Sequence, residues 1–192
     1  NWKSYLFLRN ISPEYQANVG FVVKNNRRWL TLYHEYQNFF NKKGLQFFNL
    51  GTKADINYTF DNNLKNISLD GIFSIKTYFN TELSYTYDWD IFKNYLGVNY
   101  KYLGKSELNF KTSPNELFSL TLRMTFGKDL AYNEQIPEVG KEFTLYAMPM
   151  LQLGNKVNVS PSIRYARLKN LENNLDYFNG YISRFSVRYQ FN

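Results

Sequence analysis

Between residues 47 and 60 the chain alternates. One set of positions reads Phe48, Leu50, Thr52, Ala54, Ile56, Tyr58 and Phe60; the other reads Phe47, Asn49, Gly51, Lys53, Asp55, Asn57 and Thr59. Successive side chains of a strand point to opposite faces, so this spacing predicts one long strand with an apolar and a hydrophilic face. Asp61, Asn62 and Asn63 then supply turn chemistry. The pattern returns with Ile67, Leu69, Gly71, Phe73 and Ile75 against Asn66, Ser68, Asp70, Ser74 and Lys76, with Ile72 the exception. After a break at Phe79 and Asn80, Leu83, Tyr85, Tyr87 and Trp89 oppose Glu82, Ser84, Thr86, Asp88 and Asp90. Three long alternating strands in succession predict the wall of a membrane-spanning, antiparallel up-and-down β-barrel.

The rest of the chain extends this reading. Residues 3–9 predict a strand. Residues 11–26, with Pro13, Gly20 and an apolar run at 19–23, predict a loop or a segment tucked into a barrel mouth. Residues 28–40 predict a strand of mixed faces, and 41–44 a turn. Residues 90–94 read as a loop, and 96–103 and 106–112 as one strand or two, depending on Gly104. Ser113, Pro114 and Asn115 form a turn. Phe118, Leu120, Leu122, Met124 and Phe126 then alternate with Ser119, Thr121, Arg123 and Thr125. Residues 127–140 predict an outer loop, 143–153 and 157–168 a hairpin about Gly154 and Asn155, 169–179 a polar loop, and 181–191 a closing strand. Roughly ten strands result. Short turns near Asn80, Pro114 and Gly154 alternate with longer connections near Phe92, Tyr132 and Asn173, the asymmetry of an outer-membrane barrel, which puts both chain ends on the periplasmic side. Pro149 and Pro161 fall on the apolar face and remove ladder donors. Their symmetry about Asn155 predicts that they lie opposite each other near the inner rim, where pairing ends or a bulge forms.

Composition sharpens the class. The 192 residues give room for one domain, 1–192, and the mean hydropathy of −0.50 comes with no apolar run near the ~20 residues of a transmembrane helix. A barrel distributes its hydrophobicity over alternate positions, which ordinary hydropathy misses, and 17 Tyr and 17 Phe suit its interfacial girdles. A soluble β-sandwich also alternates, but its strands usually run about 5–6 residues. The chain has no Cys, which excludes disulfides and thiolate metal sites. Its formal charge of +7 is scattered rather than gathered on one nucleic-acid-binding face and suits lipid phosphates instead. No signal peptide is visible before Asn1, so the chain reads as a processed form or a fragment of an exported protein.

Candidate chemistry is sparse. The single histidine, His34, has Glu35 beside it, but strand neighbours point apart. A Ser-His-carboxylate hydrolase would need His34, and nothing in the sequence singles out its nucleophile. Neither a metal set nor a phosphate-cradling glycine motif is present, so no enzyme activity, metal or cofactor is predicted. The charges of the polar face say more. Lys53, Asp55, Asp70, Lys76, Glu82, Asp88, Arg123, Arg164, Arg184 and Arg188 are predicted to face the lumen, because on lipid at mid-depth an Arg or Lys costs about 2–4 kcal/mol. Their mixed signs suit a salt-bridged interior more than a selectivity filter. The sequons at Asn10, Asn57, Asn66 and Asn158 are read as chance in an Asn-rich chain.

The segment Ser12-Pro13-Glu14-Tyr15-Gln16-Ala17-Asn18-Val19-Gly20-Phe21-Val22, followed by Asn26-Arg27-Arg28, resembles a family of Bacteroidota outer-membrane proteins of unknown function, as does the closing Ile182-Ser183-Arg184-Phe185-Ser186-Val187-Arg188-Tyr189-Gln190-Phe191. Members carry an N-terminal carbohydrate-binding-like head and a C-terminal barrel. The resemblance implies that this chain is part of such a barrel, with further sequence on both sides, and that any sugar binding belongs to the head. It carries over no catalytic residue. The expectation is a membrane anchor or scaffold in a Gram-negative outer membrane, in contact with the bilayer, lipopolysaccharide and other outer-membrane proteins. A pore for small polar solutes is the alternative.

Overall fold

The computed structural model of the protein describes residues 1–14, 26–40, 44–132, 137–154 and 156–191, and is all-β. Its strands are β1 (Trp2–Ile11), β2 (Arg27–Phe39), β3 (Leu45–Tyr58), β4 (Leu64–Thr77), β5 (Thr81–Tyr95), β6 (Val98–Asn115), β7 (Phe118–Leu130), β8 (Val139–Leu153), β9 (Val157–Val159), β10 (Ser162–Asn170), β11 (Asp176–Arg184) and β12 (Val187–Tyr189). They form one antiparallel sheet in sequence order, with β9 and β12 continuing the ladder beyond β10 and β11. The up-and-down order predicted from sequence is therefore present. The second sheet that a sandwich needs is absent among the described residues.

The alternation of the sequence becomes two chemically opposite faces. One register row crosses the whole sheet as Trp2, Tyr36, Leu50, Phe73, Tyr85, Leu108, Met124, Leu145, Tyr165 and Tyr181, every member apolar or aromatic. Among the described residues no second layer covers it: Trp2 is 69% exposed and Leu50 57%. A row on the other face reads Tyr5, Tyr33, Lys53, Asp70, Asp88, Lys105, Gly127, Glu142, Leu168 and Phe178. A one-residue slip anywhere would exchange these faces, so burial of either one fixes the register.

Four sequence expectations are corrected. Residues 90–94 belong to β5, which ends in a two-residue turn at Leu96 and Gly97. Ile67 pairs with Phe92 and Ser68 with Asp90, so Ile91 is an extra residue that breaks the alternation and makes a strand look like a loop. Strand β6 runs unbroken through Gly104 to Asn115, and the turn after it lies at Glu116 and Leu117. Strand β7 continues past Gly127 to Leu130, and β10 and β11 fill most of the stretch read as a loop at 169–179. The turn at 41–43, the apolar run at 19–23, most of the segment that carries the family resemblance, and Asn155 lie outside the described residues.

Leu96 has φ 51° and Gly97 φ 83°, the paired left-handed conformation of a tight hairpin turn. A leucine there bears the steric penalty that Asn largely escapes, and its side chain is 70% exposed, so it contributes little packing. Leu96→Asn is expected to raise the stability of the folded protein by about 1 kcal/mol, read as a higher urea midpoint.

The prolines mark a line of discontinuity. Leu151 pairs with Val159 and Ala147 with Ile163, which sets Pro149 and Pro161 opposite each other, as the sequence predicts. Pairing does not end there. It is interrupted at Ser160 and Pro161, and again on the neighbouring strand at Phe185 and Ser186, then resumes at β9 and β12. Pro161 has no N–H to give to the ladder, whereas Ser160 N donates to Ser186 O across the break at 2.8 Å. Since β9 with β10 and β11 with β12 each keep one register, the twelve segments make ten crossings of the sheet. Asn1 and Gln190 both bond at the end of the sheet that holds the 40–44, 78–80, 116–117 and 154–156 connections.

The sheet is not closed: among the described residues β1 is paired only with β2, and β11 only with β10. The buried apolar core is correspondingly small, consisting of Tyr100, Leu103 and Leu130 with Tyr95, Val98 and Val139 packed against them.

Candidate functional site

By register, the ten charged residues Lys53, Asp55, Asp70, Lys76, Glu82, Asp88, Arg123, Arg164, Arg184 and Arg188 lie on one side of the sheet. Asp55 and Lys53 lie on β3, Asp70 and Lys76 on β4, Glu82 and Asp88 on β5, and the register places each on the polar side. Lys53 Nζ forms ion pairs with Asp55 on its own strand and, at 3.4 Å, with Asp70 on the next. Thr31 Oγ1 donates to Asp55. Asp70 stands directly opposite Asp88, a like-charge pair that would be repulsive alone. Lys53 flanks it on one side and Lys105 on the other, since Asp88 pairs with Lys105. Lys76, Glu82 and Lys111 alternate in sign along another row.

The remaining four lie apart. Arg123 bonds Asn109 at 2.8 Å and approaches Glu107 at 3.8 Å. Arg164 lies over the Tyr146 ring at 5.6 Å. Arg184 and Arg188 sit on β11 and β12, at the edge of the sheet. The ten are therefore one face but not one cluster.

Several members of the central network escape sequence reasoning. Lys105 Nζ reaches Asp129 at 2.9 Å and Glu142 at 3.9 Å, and Lys93 Nζ reaches Asp90 at 3.2 Å. Lys93 and Asp129 fall in stretches that resembled loops, Lys105 adjoins the ambiguous Gly104, and Asp90, read on the polar face, stands at the start of the stretch taken for a loop. Near the short-turn end, Glu35 is 3% exposed, accepting from Tyr33 Oη at 2.5 Å and Asn49 Nδ2 at 3.1 Å, with Lys3 Nζ at 3.4 Å. Lone exposed ion pairs contribute little, but charges removed from water depend on their partners. Lys105→Met is expected to destabilise by about 1–2 kcal/mol. Adding Asp129→Asn should recover part of that loss, and a double-mutant cycle by urea titration reads the coupling.

Of the connection from β7 to β8, the described residues Leu130–Tyr132 and Pro137 pack against the polar face. Leu130, Ala131 and Pro137 are buried, and Tyr100 Oη donates to Pro137 O at 2.5 Å, on the polar face of β6. Tyr132 meets Tyr95 edge-on with ring centroids 5.1 Å apart, and Lys93 Nζ lies 5.9 Å from the Tyr132 ring. Lys53, Asp70, Asp88, Asp90, Lys93 and Tyr132, among others, line a cavity of about 670 Å³, so the polar face is recessed there.

His34 belongs to the opposite, apolar face. Its Nδ1 lies 2.6 Å from Ser4 Oγ, and its ring stacks on Trp2 at 4.9 Å. The register between β1 and β2 thus brings a serine beside the histidine, which a separation of thirty residues hides in the sequence. Glu35 points to the other face and cannot orient His34, so these residues do not assemble a triad. Among the described residues no group of three or more His, Asp or Glu side chains converges to hold a metal ion.

Fold and site together define an antiparallel up-and-down sheet with one apolar face and one charged face. Comparison with family models, with curated proteins and with solved structures gave no match.

Proposed function

We propose that this chain forms wall of a Gram-negative outer-membrane β-barrel and serves there as an anchor or scaffold, holding a head domain or a partner complex at the surface or in the periplasm. The observation that carries the reading is the uncovered ten-residue apolar row from Trp2 to Tyr181, backed by a row of charges. In water such a face would have to find another layer. Against lipid it is the matched surface, with the charged face turned to the lumen. The bilayer and lipopolysaccharide are then its immediate partners, with other outer-membrane proteins reached through loops and rims, and the end carrying Asn1 faces the periplasm.

An anchor is favoured over a pore because the lumenal charges engage one another and Pro137 is held against the polar face by Tyr100. The cavity beside Asp88 is what favours the second reading, a channel for small polar solutes. Planar-bilayer recording of the full-length protein separates the two. The anchor predicts no steady conductance, and a stable open channel would contradict it.

A further inference from the structure

Resting on the barrel-wall reading, we propose that both edges of this sheet are continued by additional antiparallel strands, and that the one beside β11 and β12 presents Asp or Glu on its polar face. Among the described residues, no further strand pairs with the outer side of β1 or of β11 and β12. In a bilayer each unsatisfied group costs several kcal/mol, so an edge cannot stay open there. Edge side chains are exposed on both faces, with Leu8 70% accessible on the apolar face and Ile182 57% on the polar one.

Charge selects the kind of strand. On the polar face, β1 offers Lys3 and Arg9, while β11 and β12 offer Arg184 and Arg188. Strand β1 contains no carboxylate at all. The one carboxylate of the other edge, Asp176, is held by Arg167 through bonds of 2.8 and 3.2 Å. Lys3 already has Glu35, and Arg9 lies over the Trp29 ring at 5.0 Å. Pairing β1 directly with β12, within one molecule or between two copies, would therefore bring cation against cation at the seam. Elsewhere on this face the lysines find carboxylates one strand away, as Lys53 does in Asp70 and Lys105 in Asp129. Arg184 and Arg188 call for the same from strands other than β1–β12.

The test uses the full-length protein in its native membrane, with two readouts. Amide hydrogen exchange should show β1 and β11 protected to within about tenfold of β5 and β6. In an Arg184→Lys variant, a zero-length carbodiimide should join the introduced amine to an Asp or Glu in a peptide outside β1–β12, identified by mass spectrometry. Edges that exchange about a thousandfold faster than a protected centre would overturn the proposal and leave the wall reading standing. Protected edges with no such cross-link, or with a cross-link between β1 and β12, would also overturn it. A protein released from the membrane without detergent would remove the wall reading itself.

Discussion

Gly127→Ala is expected to prevent the sheet from forming properly. Gly127 lies within β7 at φ +149°, and an added Cβ would sit 2.5 Å from Lys105 Cα and nearer still to Gly104 O. Both are backbone atoms of β6, so neither can swing aside; the collision is relieved only by parting the β6–β7 ladder. That ladder carries Lys105 to Asp129, so the charged row breaks with it. A loss of about 3 kcal/mol or more is expected in urea titration, or failure to fold in detergent. Gly71→Ala is the matched control. Gly71 has nothing within 4 Å of an added Cβ, and the substitution should shift stability by no more than about 1 kcal/mol. Equal behaviour of the two variants would mean that β6 and β7 are not so closely packed.

The second large effect concerns the apolar face. Leu50 is 57% exposed and lies near the middle of β3. On a water-facing sheet, replacing such a residue with Arg changes stability by about 0.5 kcal/mol at most. Facing lipid at mid-depth, Leu50→Arg should cost about 2–4 kcal/mol. Tyr58→Arg, at the end of the same strand, should cost about 0–1 kcal/mol beyond the lost ring contacts. The difference between centre and rim is the signature, measured by reversible unfolding into urea from lipid vesicles. A flat profile near zero would contradict lipid exposure.

Much of the fold is legible because strand alternation is a local property. Strands β3, β4 and the first half of β5 follow directly from it, as do the shared face of Lys53, Asp55, Asp70 and Asp88 and the opposition of Pro149 and Pro161. Alternation fails wherever one residue breaks parity. Ile91 hides the second half of β5, and with it Lys93. Gly127 resembles a turn residue, yet it is there for the close approach of β6, and reading it as a loop conceals Asp129 and Glu142. The burial of Leu130 and Ala131 at the end of β7 left a fainter trace, two apolar residues in an otherwise polar stretch. The meeting of Ser4 with His34 is a matter of register between distant segments, and no local pattern records it.

The central claim, that one face meets lipid and the other an aqueous lumen, is most directly tested by site-directed spin labelling. The chain has no Cys, so single cysteines can be placed cleanly. Labels at Leu50, Ala54 and Ile56 and at Asn49, Lys53 and Asp55, in the full-length protein reconstituted in vesicles, are compared for collision with oxygen and with a water-soluble nickel complex. The account predicts strict alternation, with the first set accessible to oxygen and the second to nickel. Both sets reading alike, or the first set shielded from both reagents as in a packed soluble core, would contradict it.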